Sequence, residues 1–237
     1  MKMPSVARDL LKWRKWQKSL DRIRNELLKL ETSRSTYSNL LTILKKNDKL
    51  QKFSGHPFFR WLIRNYCIQL GMGIRRLVDK RSDELNIFTL LLDIENNTQQ
   101  ITIEKYVRSF FPYDTNFSGK NLSTWRRAHY YETAQKAFKE AFSRPRKILL
   151  IRDVEKDRKL VQKIAKKTIE VFVDEHWAHL GKKKVQGPTI NQAHKCLDAL
   201  IAIHNKYALL LRKEKLSLPK KILTSYWEEL FQIPWIR

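Results

Sequence analysis

Two stretches with apolar residues at every third or fourth position constrain the fold of this chain more than any other feature. The first covers residues 6–30 and the second residues 190–211. Residues at this spacing share one face of an α-helix, which can be buried against other helices. The chain shows no convincing strand pattern and no internal repeat. The sequence therefore predicts an all-α fold, a bundle of long antiparallel helices in one domain over residues 1–237.

Three large polar or amphipathic side chains fall on the apolar faces of these two helices. Trp13 and Trp16 lie on the first face, where we expect core or dimer contacts rather than a platform for stacking bases. His204 lies on the second face, and we expect a packed histidine whose ring nitrogens are hydrogen-bonded.

Shorter helical patterns lie between the two stretches. A helix beginning at Pro57 contains Gly71 and Gly73, which predicts that another helix approaches closely there. We also expect helices at 37–44, 85–95 and 103–111. The predicted buried positions of the Pro57 helix are Phe58, Leu62, Tyr66, Leu70, Ile74 and Leu77. A further helix should bury Leu160, Ile164, Thr168, Val171, Glu175 and Ala178.

The net charge of +24, from 48 Lys and Arg against 24 Asp and Glu, indicates a polyanionic partner. Folding does not require such a charge, because self-repulsion opposes the compact state. Nucleic acid is the commonest polyanion, whereas no stretch approaches the roughly 20 apolar residues of a membrane-spanning helix. We therefore expect a nucleic acid as the partner and no membrane association.

The cysteine content and the N-terminus bear on location. Cys67 and Cys196 lie within apolar helical patterns and are too few to form a zinc cluster alone, so we expect reduced core thiols. The first residues lack the apolar region of a signal peptide. These features predict a cytoplasmic protein.

Residues 112–150 form a basic, aromatic-rich insertion within the predicted domain. From residue 120 to residue 167 there are fifteen Lys or Arg against five Asp or Glu. Aromatic rings among cations suit single-stranded nucleic acid, but an amphipathic helix with buried rings and solvated cations gives the same pattern. The aromatic residues are Trp125, Tyr130, Tyr131, Phe138 and Phe142. The candidate nucleic-acid-binding cations are Arg126, Arg127, Arg144, Arg146 and Lys147.

The stretch VFVDEHWAHLGKKK places two histidines, His176 and His179, three residues apart near a predicted helix end. Residues at that spacing share a helix face. Gly181 can end the helix, and three further candidate cations follow it. These cations are Lys182, Lys183 and Lys184. Histidine exchanges protons near neutral pH, so the pattern is compatible with chemistry on a phosphodiester, or with a helix end carrying one packed and one solvated histidine.

Metal-free cleavage of RNA is the reaction that these residues could support. A histidine, His179 or His176, would take the proton from a 2′-hydroxyl, and an arginine would stabilise the charge on the phosphate. Arg75 or Arg76 could be that arginine if the helix that carries them packs alongside the helix of the histidines. No second group of metal ligands accompanies the histidines, so the sequence indicates neither a metal nor another cofactor.

Several blocks of the sequence resemble the HEPN superfamily of small helical proteins associated with nucleotides and RNA, in its bacterial abortive-infection branch. The blocks are HPFFRWL, IRRLVDKRSDELNIFTLLLDI, EHWAHLGKKK, GPTINQAHKCLDALIAIHNKYALLL and YWEELFQIPW. The resemblance implies a helical bundle that is frequently dimeric. It also implies, in many members, a metal-independent endoribonuclease used in phage defence or toxin–antitoxin systems. An antitoxin or a defence-complex protein would then be a further partner.

The family's usual catalytic signature is an arginine and a histidine with four to six residues between them, and this chain departs from it. The positions at which that arginine would precede His179 hold Phe172, Val173 and Asp174, so only the histidine in Ala178-His179 matches. The sequence therefore predicts an RNA-binding protein of this family. Two alternatives are an endoribonuclease that uses His179 with Arg75 or Arg76, and a non-catalytic subunit that docks on DNA or a nucleoprotein complex.

Overall fold

Seven α-helices make up most of the part of the chain that the computed structural model describes, and they confirm the all-α prediction. The described residues are 5–46, 57–80, 86–110, 124–142, 147–165 and 189–216. Within them the only bridge between extended residues joins Thr102 to Ile148. The helices are α1 (Ser5–Lys46), α2 (Pro57–Val78), α3 (Ile87–Glu95), α4 (Ile103–Phe110), α5 (Thr124–Phe142), α6 (Ile151–Ile164) and α7 (Ile190–Arg212).

Helix α1 is a single helix of 42 residues, so the prediction of one helix over residues 6–30 and another over 37–44 is wrong. The polar stretch between the two predicted helices, residues 31–36, stays helical because its charged side chains have partners. Arg34 forms ion pairs with Glu31, one turn before it, and with Asp198 in α7. Leu40 is buried beyond that point. Tertiary packing of this kind supplies most of the stability of a helix and overrides a weak local preference.

Both α2 and α7 run antiparallel to α1. The α7 partners of Gln17, Leu20 and Arg34 appear in reverse sequence order, at Leu211, His204 and Asp198. The α2 contacts of α1 follow the same rule, with Tyr66 stacked on Tyr37 and Arg76 paired with Glu26. The long helices thus form the antiparallel bundle expected from the sequence.

The predicted apolar faces of α1 and α7 form much of the core. Trp13 and Trp16 are buried, and each indole N–H donates a hydrogen bond, to the Gln100 carbonyl at 3.0 Å and to Asp93 at 3.1 Å. Because a buried indole N–H needs an acceptor, these bonds favour the core interpretation of both tryptophans. Two ion pairs connect α6 to the bundle, Arg158 with Glu95 and Lys206 with Asp157.

The buried face was predicted one residue out of place at two positions. Phe58 is 49% exposed while its neighbour Phe59 is buried, and Leu160 is 40% exposed while Val161 is buried. At both places two large apolar residues are adjacent, so either could have begun the apolar face. The direction of the core decides between them.

The close approach expected at the glycines of α2 is present at Gly73. A Cβ added to Gly73 would lie 2.3 Å from Cδ2 of Leu30 in α1. A side chain at this position would therefore separate the two helices or displace Leu30. None of the described helices is both long enough and apolar enough to cross a membrane.

Candidate nucleic-acid interface

A cavity of about 420 Å³ opens between α1 and the C-terminal end of α2. Three exposed cations, Arg22, Lys29 and Arg76, line it around a single carboxylate. Glu26 lies 2.7 Å from the Lys29 ammonium and 3.2 Å from the Arg76 guanidinium. The excess of positive charge in a concave surface makes the cavity suited to an anion. It is lined by Arg22, Ile23, Asn25, Glu26, Lys29, Arg76, Leu77 and Asn86.

Of the two arginines predicted to act beside a histidine, only Arg76 lines this cavity. Arg75 precedes it and is partly buried. The histidines of that prediction, His176 and His179, lie outside the described residues, as do Lys182, Lys183 and Lys184. Arg22 and Lys29 were not singled out from the sequence. Their seven-residue spacing places them on one face of α1, but the approach of Arg76 follows only from the packing of α2.

The described cations of the basic insertion are exposed. Arg126 and Arg127 lie in the first turns of α5, where the Arg127 guanidinium sits 6.0 Å from the centroid of the Tyr131 ring. Lys147 is exposed too, and its carbonyl accepts a hydrogen bond from the Ile103 N–H. Arg144 and Arg146 lie outside the described residues. The described cations are thus accessible to a polyanion.

The aromatic residues of α5 pack towards the core. Phe138 is fully buried, and Tyr130, Tyr131 and Phe142 are partly buried against the core cluster. The side chain of Trp125 lies outside the described residues. For these four residues the structure favours the amphipathic-helix interpretation over a stacking platform.

A polar cluster that the sequence analysis missed joins α1, α2 and α7. The Tyr66 hydroxyl lies 2.5 Å from Nε2 of His194, and the Tyr66 ring stacks on Tyr37 with centroids 4.1 Å apart. Arg34 lies nearby, with one nitrogen 2.5 Å from Asp198 and another 2.5 Å from Glu31. The pair with Asp198 is a hydrogen bond, whereas the buried Glu31 Oε2 has no aligned hydrogen-bond donor in the described part of the chain.

The environment of this cluster favours the neutral form of the His194 imidazole. Burial lowers the pKa of His194, and the charge of Arg34 lowers it further against the opposing effect of Asp198 and Glu31. Burial also raises the pKa of Tyr66. A neutral imidazole can accept a proton, so His194 has the protonation state that a general base requires.

His204 is a packed histidine, as predicted. The residue is 3% exposed, and its Nε2 lies 3.2 Å from the Leu20 carbonyl oxygen. In the tautomer with the proton on Nε2, this N–H donates a hydrogen bond to that carbonyl. Burial lowers the pKa of His204. Within the described residues no group of three His, Cys, Asp or Glu side chains is placed to hold a metal ion.

Comparison with known proteins assigns the chain to a family. Neither the curated proteins nor the solved structures gave a match. The family model for AbiU2, a HEPN family, matches residues 14–229, which include all seven helices except the first residues of α1. The chain therefore belongs to the AbiU2 family, in the abortive-infection branch of the HEPN superfamily.

Proposed function

We propose that this protein binds RNA as part of a bacterial abortive-infection response to phage. The observation that carries the proposal is the basic cavity between α1 and α2, in a family associated with RNA and in a chain with a net charge of +24. RNA is preferred to DNA because of the family membership. A second copy of the chain, an antitoxin or another defence protein remains a proposed partner.

The chemistry of the cavity fits phosphate groups. The side chains of Lys29 and Arg76 are 67% and 61% exposed, so their ion pairs with Glu26 contribute little stability and can exchange for phosphate contacts. Glu26 holds both cations at the cavity while leaving most of their surface in solvent. Arginine can also bind two phosphate oxygens at once.

Salt titration of RNA binding tests this proposal. The affinity should fall steeply between about 50 and 200 mM salt, because each neutralised phosphate releases counterions. Replacing Arg22 and Lys29 with Gln should weaken binding and reduce the slope of log K against log salt by about 1 for each phosphate that the variant no longer neutralises. The control variant replaces the exposed Lys156 and Lys159 of α6 with Gln, which removes the same amount of charge away from the cavity. Equal losses of affinity in both double variants would contradict a role for the cavity, and no binding at low salt would contradict the function.

A metal-independent endoribonuclease is the second candidate, and the neutral His194 beside Tyr66 favours it. In this reaction a histidine takes the 2′-hydroxyl proton, the 2′-oxygen attacks phosphorus, and the 5′-oxygen leaves with a proton. The products are a 2′,3′-cyclic phosphate and a 5′-hydroxyl. The histidine would be His194, with Arg34 as the nearby cation, or, by resemblance to the family, His179, with Arg75 or Arg76 as the cation.

Cleavage assays in EDTA distinguish these candidates. Removal of a general base costs about 10²- to 10⁴-fold in rate, so alanine at the histidine that acts should abolish detectable cleavage. His179→Ala and His194→Ala should be assayed separately, with His176→Ala as a control. A substrate with a 2′-deoxy group at the cleavage site must stay intact. Absence of cleavage by the wild-type protein would leave RNA binding as the function, whereas equal affinity for RNA and DNA would favour the accessory subunit.

A further inference from the structure

Two aromatic side chains are exposed side by side at the start of α2. Phe58 is 49% exposed and Trp61 is 58% exposed. Their ring centroids lie 6.2 Å apart and their planes differ by 24°. The buried Phe59 contacts Phe58 edge to face, with centroids 5.6 Å apart, which fixes the position of that ring against the bundle. The pair therefore consists of two nearly parallel rings, each about half exposed, on one helix.

Exposed cations lie in the same part of α2 as these rings. Arg60 and Arg64 are exposed on the same two turns of α2, and Arg64 lies one turn beyond Trp61. Exposed rings with adjacent cations form the combination that single-stranded nucleic acid requires, since bases stack on the rings while phosphates contact the cations. The sequence placed this combination in α5, where the described rings pack inward instead.

The exposed strip continues along α2 towards the basic cavity. Met72 follows Trp61 by eleven residues, which is close to three turns, and is 39% exposed on the same face. Arg76, one turn further on, lines the cavity. The distance from Trp61 to Arg76 along the helix is about 22 Å. An extended strand of several nucleotides could contact both ends of this face.

We propose that Phe58 and Trp61 form a stacking platform for unpaired RNA bases, with Arg60 and Arg64 contacting the adjacent phosphates. This inference rests on the proposed RNA-binding function and identifies the form of RNA that is bound. Bases in a duplex are already stacked within the helix, so the platform selects single-stranded segments. The flanking arginines favour a polyanion over a purely apolar partner for this face.

Substitutions at Trp61 test the platform, with binding measured by fluorescence anisotropy on an unstructured oligouridine and on an RNA duplex. Trp61→Leu keeps an apolar surface but removes the aromatic face, so oligouridine binding should weaken by about 5- to 150-fold, the range that follows from loss of one stacked base. Trp61→Phe should retain most of the affinity. Duplex binding should change little in either variant. Leu160→Ala, at an exposed apolar position in α6, is the matched control and should bind as the wild type does.

The salt dependence of RNA binding distinguishes the stacking platform from the proposed RNA-binding function as a whole. Trp61→Leu should leave the salt slope unchanged because no cation is removed, whereas Arg60→Gln with Arg64→Gln should lower it. If Trp61→Leu binds oligouridine as tightly as the wild type does, the platform is wrong and the RNA-binding function stands. If the wild type binds no RNA, both proposals fail.

Crosslinking and sedimentation complete the test. An oligonucleotide that contains 5-bromouridine should crosslink to Phe58 or Trp61 of the wild-type protein, a result that does not depend on the folding of any variant. Crosslinks confined to other helices would contradict the proposal. A wild-type dimer that dissociates on Trp61→Ala substitution, with unchanged RNA affinity, would assign this face to a second copy of the chain and overturn the platform.

Discussion

The Tyr66 hydroxyl of α2 lies 2.5 Å from Nε2 of His194 in α7, and this contact joins two helices that both pack on α1. Tyr66 is 7% exposed, so its hydroxyl has little access to water if the histidine is removed. The contact lies beside the ion pairs of Arg34 with Glu31 and Asp198. One junction thus connects three helices through neutral and charged groups.

Tyr66→Phe should lower the free energy of unfolding by about 0.5–1.5 kcal/mol, the usual net contribution of one hydrogen bond. Tyr106→Phe is the matched control, because Tyr106 is also buried and its hydroxyl forms no hydrogen bond within the described part of the chain. Urea denaturation of the two variants measures the difference. Equal stability of both would mean that the Tyr66–His194 contact contributes nothing.

Gly73→Ala should destabilise the protein despite the better helix propensity of alanine. The propensity gain is about 1 kcal/mol, but the added Cβ would lie 2.3 Å from Cδ2 of the buried Leu30. Overpacking of this kind typically costs about 1–3 kcal/mol. In a Leu30→Ala background the same glycine substitution should become stabilising, because the clash is gone. A thermal denaturation cycle of the four proteins measures this coupling, and strict additivity would contradict the close approach.

The sequence predicted the elements whose signal is local. The spacing of apolar residues identified the faces of α1 and α7, including buried positions such as Leu197 and His204. The two glycines of α2 predicted a close helix contact, and Gly73 forms one with Leu30. These inferences succeed because helical periodicity and steric demand are both encoded within a few turns of chain.

The contacts that depend on helix register could not be predicted in this way. His194 lies beside, not on, the apolar face of α7, and its partner Tyr66 is 128 residues away. The cavity needs Arg76 of α2 opposite Lys29 of α1, which no local pattern indicates. The exposed Phe58 has an aromatic neighbour, Phe59, of nearly equal apolar character. The direction of the core, which is a property of the whole bundle, decides which ring faces solvent.

The insertion should contribute to RNA affinity through its cations. Replacing Arg126, Arg127, Arg144 and Arg146 with Gln should weaken binding and lower the salt slope, because these positions are predicted to contact phosphates. The fold should survive, since Arg126 and Arg127 are exposed. Anisotropy titrations across a range of salt, with circular dichroism as the folding control, test the prediction. Unchanged binding by a folded variant would show that these cations are only solvated.

His204 should make the protein less stable in mild acid. Burial lowers the pKa of His204 in the folded state below its unfolded value of about 6.5. The unfolded chain therefore binds a proton at a higher pH than the folded chain does. The stabilisation is fully present above about pH 6.5 and is lost as the pH falls below that value. His194 adds a loss of the same sign because its pKa is lowered too.

His204→Leu should reduce this pH dependence while leaving RNA binding intact. The substitution removes the donor to the Leu20 carbonyl, so the free energy of unfolding at pH 7.5 should fall by about 1–3 kcal/mol. The further loss of unfolding free energy between about pH 7.5 and 5 should be smaller than in the wild type. The variant no longer has His204, and His194 is then the described histidine with a lowered pKa. Urea denaturation at both pH values measures the change, and a His194→Gln variant reports the remaining contribution. RNA affinity at pH 7.5 should match the wild type because His204 is 3% exposed and cannot reach a ligand. Loss of binding in a His204→Leu protein that circular dichroism shows to be folded at the assay temperature would overturn the assignment of His204 to packing.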